Sequence, residues 1–184
     1  MTILCREKLE VWVEHYPFHT SLNKKLIEES NQLPFVTADK AIQQGGNLSN
    51  VKALQTCSHN PVVESPSFQV IYEWIYKIIK NKTPGWNYKI VSSWVAKYNK
   101  GEYTLNHKHD PVSYSFVYFI KCPKGSSPLI FTRGGKRIKA EEGKAVIFPG
   151  NLYHHVPKNR CDDRIVLAGN IISRWVDASG TIVE

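Results

Sequence analysis

No run of apolar residues in this sequence approaches the ~18 needed for a membrane-spanning helix. The amino-terminal stretch MTILCREKLEVWVEHY has no continuous apolar core behind a basic start, so no signal peptide is read and a cytoplasmic protein is expected. Cysteine is sparse and scattered. Cys5, Cys57, Cys122 and Cys161 form no CxxC pair, which argues against a cysteine-type zinc site and for reduced thiols. Ser126 and Ser127 lack the GxSxG surroundings of a serine hydrolase. Gly134-Gly135-Lys136-Arg137 lacks the spacing of a phosphate-binding loop and reads as a hairpin turn with a solvated basic face. There is no internal repeat and no low-complexity tract. Acidic residues are also few, 16 against 24 Lys and Arg, and the resulting charge of +8 favours polyanions or acidic small molecules as ligands.

What remains is an ordinary globular composition. The 184 residues are 42% apolar and 22% charged, which suits a single domain over 1–184 with its own core. Leu9, Val11 and Val13 alternate with Glu10, Trp12 and Glu14, a strand pattern over 8–18. Thr20 or Ser21 is placed to cap a helix over about 22–32. Residues 33–64 carry no clear periodicity, and Gly45-Gly46 marks a loop. Ser65-Pro66 is a strong helix start, followed by Phe68, Ile71, Tyr72, Ile75 and Ile79 at helical spacing until Pro84-Gly85 stops the run. From residue 86 the pattern changes to short strands at 88–98, 103–109, 113–121, 127–132, 136–139, 144–148, 153–157 and 164–172, with turn residues between them. The expected fold is α+β and mainly β. An N-terminal strand and supporting helices (1–85) back one sheet of a β-sandwich or jelly-roll core (86–176).

Four of the seven histidines form two clusters, His107-Lys108-His109 and His154-His155. In a strand, positions i and i+2 share a face, so His107 and His109 present two imidazoles side by side. A third imidazole from the later cluster would complete one face of an octahedral metal site, and imidazole suits iron, zinc, copper or nickel. Asp110 stands next to the pair as a candidate carboxylate.

The sequence around these histidines has more to it. SWVAKY (93–98), NKGEY (99–103) and NHKH (106–109) lead into SFVYF (115–119), then GKAVIFPGNLYHHV (143–156) and DRIVLAGN (163–170). This order resembles the 2-oxoglutarate/Fe(II)-dependent oxygenase superfamily, above all phage and bacterial oxygenases with an HxH…H pattern, and more distantly the prolyl hydroxylases. The resemblance covers nearly half the chain, and residues 1–85 do not share in it. It implies a double-stranded β-helix core, Fe(II) as metal and 2-oxoglutarate as cosubstrate. His107 falls on the first metal ligand and His154 on the distal one. Arg164 falls on the residue that clamps the far carboxylate of 2-oxoglutarate, Tyr98 on a tyrosine that touches it, and Asn170 on the family's terminal Asn. The family's carboxylate ligand is replaced by His109, with Asp110 as the alternative should a bulge turn it inward. The family's second aromatic is Phe119, which lacks a supporting hydroxyl, and Tyr118 is expected on the opposite face.

The expected activity is therefore that of a non-haem iron dioxygenase of hydroxylase type, with the primary substrate open among protein, nucleic acid and metabolite. Two alternatives stand beside it. Gly101 ahead of His107-x-His109 also fits a cupin-like metal-binding protein, although no Glu follows before Glu141. The charge of +8, with Trp86 and Trp94 as exposed aromatics, fits a nonenzymatic nucleic-acid-binding module.

Overall fold

A computed structural model describes residues 9–37, 50–56 and 62–175. Cys5, Cys57, Gly45-Gly46 and the carboxy-terminal TIVE lie outside these residues. The elements in chain order are β1 (Trp12–His15), α1 (His19–Asn31), β2 (Phe35–Val36), β3 (Val51–Lys52), β4 (Leu54–Thr56), α2 (Pro66–Lys82), β5 (Trp86–Tyr98), β6 (Tyr103–His107), β7 (Tyr114–Lys121), β8 (Leu129–Phe131), β9 (Arg137–Ile138), β10 (Lys144–Pro149), β11 (His154–Val156) and β12 (Arg164–Trp175). They form a seven-stranded sheet, β1-β10-β7-β12-β5-β4-β2, and a five-stranded sheet, β3-β6-β11-β8-β9. All the pairings are antiparallel. The two facing sheets make the double-stranded β-helix, and the helices back the larger one.

Strand alternation decides what each face holds. Phe116, Tyr118 and Ile120 of β7, Ile165 and Leu167 of β12, and Ala145 and Ile147 of β10 point toward the helices. Phe119, Val166, Val146 and Phe148 point the other way, into the space between the sheets. The helix-side core is completed by Phe68, Ile71, Tyr72, Ile75 and Ile79 of α2, the periodic set legible in the sequence. Burying each of these side chains contributes about 1.5–3 kcal/mol.

The first helix starts earlier than the capping reading placed it, at His19, with Phe18 at the cap position and no side-chain cap. Thr20 and Ser21 lie inside it. At α2 the start at Ser65-Pro66 holds, but the cap chemistry differs. The Ser65 hydroxyl turns away and donates to the Glu29 carboxylate of α1. Glu29 also accepts from the Ser67 backbone N–H at 3.3 Å and from the Ser67 hydroxyl at 2.5 Å. A full negative charge thus sits on the positive end of α2 and ties the helices together. Strands also come from the region that had no sequence periodicity. β3 extends the smaller sheet and β4 with β2 extend the larger one, each too short to show an alternation.

Candidate active site

The site lies between the sheets, where β6 and β11 run side by side. His107 ends β6 and stands in register with His154, the first residue of β11. The strand is shorter than the sequence pattern proposed, so His109 belongs to the following loop. That loop brings its ring back beside His107. The His109 N–H donates to Gly150 O at 2.7 Å, and the Val112 N–H donates to His109 O at 2.9 Å. Only glycine fits at 150, since a Cβ there would lie 2.3 Å from Val112 O.

The three rings converge. Their ligand nitrogens all lie within 4.8 Å of one another, and Nε2 of His107 is 3.1 Å from Nε2 of His109. Two cis ligands of a metal with bonds of about 2.1 Å stand about 3.0 Å apart, so this spacing suits a shared ion. Nδ1 of His107 lies 2.8 Å from Leu105 O, and Nδ1 of His154 lies 2.9 Å from Leu152 O. A carbonyl only accepts, so in each neutral ring the proton sits on Nδ1 and Nε2 keeps its lone pair for the metal. Burial pushes all three pKa values below the ordinary imidazole range. His109 falls to about 4 and His154 to about 3, both helped by the neighbouring His107. All three rings are thus neutral near pH 7, the form that ligates. Phe148 packs edge-on against His154 at 4.7 Å, and Trp94 flanks His109 at 5.9 Å. Trp94 therefore walls this pocket, and Trp86 alone keeps the exposed character expected of both.

Asp110 does not join the triad. It is exposed and pairs with Lys108.

Arg164 opens β12 opposite Tyr98, lines the same pocket as the three histidines, and is 1% exposed. Its Nε and Nη1 have no hydrogen-bond partner. A surface pairing with its acidic neighbours is ruled out. Asp162 accepts the Lys100 N–H and Asp163 pairs with Lys121. The guanidinium stacks over Tyr98 at 4.6 Å and Phe119 at 5.5 Å, and burial lowers its pKa. A buried cation with open donors is costly unless an anion completes it. The Tyr98 hydroxyl is 2.7 Å from that of Thr104, which the sequence reading had not singled out. A register shift between β6 and β11 puts Thr104 and His107, three residues apart, on the same inner face, so simple parity hides Thr104. Tyr118 points to the helix side and donates to Asn23 at 2.8 Å, as its parity requires. Asn170 accepts from the Ser115 hydroxyl and donates to Ser92, fastening β12 to both of its neighbours.

No family model matches the chain, and no curated protein does. Solved structures do. A viral collagen prolyl hydroxylase from Paramecium bursaria Chlorella virus-1 superposes with a TM-score of 0.63 at 16% identity, over 93% of this chain and 95% of that one. A Pseudomonas putida prolyl-4-hydroxylase gives 0.60 at 15% identity, over 88% and 91%. HygX from Streptomyces hygroscopicus, with nickel, 2-oxoglutarate and hygromycin B bound, gives 0.65 at 9% identity, over 88% and 82%. The chain has the double-stranded β-helix fold of the 2OG-Fe(II) oxygenases.

Proposed function

We propose that this protein is a non-haem Fe(II)/2-oxoglutarate-dependent dioxygenase of hydroxylase type. The observation that carries this reading is the joint occupancy of one pocket by three neutral imidazoles and a buried guanidinium with two open nitrogens. The donor set fits the metal: imidazole suits iron(II), and three ligands on one face leave positions for a chelating cosubstrate. His107, His109 and His154 hold the ion, and Arg164 takes the far carboxylate through its planar fork. Tyr98 supports the guanidinium from below, with its own hydroxyl held by Thr104. Phe119 supplies packing alone, so the recognition of that carboxylate falls on Arg164. Three neutral ligands leave the full charge of the ion in place, which a dianionic keto acid offsets. When bound, the metal and keto acid supply oxygen activation and C–H oxidation, while the protein supplies placement and shields the site from water.

Among the similar structures, a Trichoplax adhaerens prolyl hydroxylase is complexed with a hypoxia inducible factor peptide and HygX with hygromycin B. The fold therefore takes both macromolecular and small substrates and does not select one.

The test is an anaerobic titration of metal-free protein with Fe(II) and then 2-oxoglutarate, followed by a succinate assay in oxygen. Stoichiometric iron binding, lost in His154→Ala, and succinate release support the reading. Metal binding without keto-acid binding would indicate the cupin-like alternative. Binding of neither ends the proposal.

A further inference from the structure

The smaller sheet has a second face, turned away from His107, His109 and His154, and its charged side chains are basic. No strand of this sheet carries an Asp or Glu, and neither does any position in 103–109, 111–140 or 143–161. Lys52 and Arg137 lie at its opposite edges, on β3 and β9. Lys158 follows β11, and Arg133 and Lys136 stand in the exposed β8–β9 turn. The ion pairs among the described residues, Lys82–Glu14, Lys108–Asp110, Lys121–Asp163 and Lys144–Glu141, use none of these five cations.

Between the cations the face is partly apolar. Tyr103 stands opposite Lys52, while His155, Ile130 and Arg137 follow one another in cross-strand register. A groove of about 420 Å³ runs along it, lined by Tyr103, Leu105, His155, Pro157 and Lys158. Leu105 is 43% exposed there. Nδ1 of His155 is buried beside this groove without a hydrogen-bond partner.

We infer that this outer face of the five-stranded sheet is a binding surface for a single-stranded nucleic acid. Cations along the edges neutralise phosphates, whose contacts dominate such affinity. Aromatic and imidazole rings on the sheet between them give bases a platform that tolerates any sequence. An acidic polypeptide would satisfy the cations but would leave the rings of Tyr103 and His155 without bases to stack on. The inference is independent of the oxygenase reading, because the histidines of the metal site point to the other side of the same strands.

The experiment uses metal-free full-length protein and fluorescein-labelled oligo-dT and oligo-U of about 20 nucleotides, read by fluorescence anisotropy at two salt concentrations. Micromolar binding that weakens with salt is expected. The double reversal Arg137→Glu/Lys158→Glu should weaken it by about tenfold or more and flatten the salt slope by roughly 1.4, at about 0.7 per phosphate contact. Tyr103→Ala should cost about fivefold or more while leaving the salt slope unchanged. Reversal of Lys77 and Lys80, exposed on α2, should leave binding as it was, and circular dichroism melts check that each variant folds. Absence of oligonucleotide binding up to about 100 µM overturns the inference. So does equal competition by polyglutamate of matching charge, or equal loss from both pairs of reversals.

Discussion

Replacing Arg164 by methionine separates stability from function. The guanidinium is 1% exposed with two open nitrogens, so water does not screen the cost of holding it there. Each unsatisfied buried donor costs about 1–3 kcal/mol. Stacking over Tyr98 and Phe119 returns about 2 kcal/mol in a desolvated setting. Methionine keeps much of the apolar length and removes the charge. Similar replacements of buried ionic groups are often stabilising by about 1–4 kcal/mol. A net gain of about 1–3 kcal/mol is expected for the ligand-free protein. For a chain of this size that raises the melting temperature by about 2–10 °C. If Arg164 holds the cosubstrate as proposed, the same substitution removes one partner of a buried ion pair in that complex, where such losses run to about 2–5 kcal/mol. Affinity for 2-oxoglutarate should therefore fall by roughly 30-fold to several thousandfold. Scanning calorimetry without ligand and isothermal titration of the metal-loaded protein read the two effects separately. A variant that melts lower than the parent refutes the account of the orphaned cation. A variant that binds 2-oxoglutarate as before refutes the carboxylate clamp.

Glu29→Ala removes the charge that caps α2 and should cost about 1–2 kcal/mol, seen as a lower denaturant midpoint with an unchanged slope. Ile75→Ala empties a fully buried position in the helix-side core and should cost about 2–5 kcal/mol in the same assay. Burial pushes the Cys122 thiol up to about 12. At pH 8 only about one molecule in ten thousand then carries the reactive thiolate. Iodoacetamide at that pH should leave Cys122 unmodified in the folded protein and label it once denatured, as read by peptide mass spectrometry. Its labelling at the denatured rate in the folded state would contradict the burial.

The long β-rich region was legible because its strands alternate against a core on both sides, and turn residues separate them. α2 was legible because its apolar positions recur at helical spacing and Ser65-Pro66 opens it. Three features stayed hidden for specific reasons. β2, β3 and β4 are too short for any periodicity. Thr104 reaches the inner face through a register shift that breaks parity. The cap of α2 comes from Glu29, which is distant in sequence and meets the helix only after α1 packs.

The order and identity of the histidines, Arg164 and Tyr98 were set by the chain alone, because residue type and spacing fix which donors and cations the fold has at its disposal. Their convergence was decided in three dimensions. The pairing of β6 with β11 brings together imidazoles 47 positions apart in number, and the loop anchored on Gly150 selects His109 over Asp110. The state of Arg164 likewise depends on packing, since only the two closed sheets strip water from it and leave its nitrogens open.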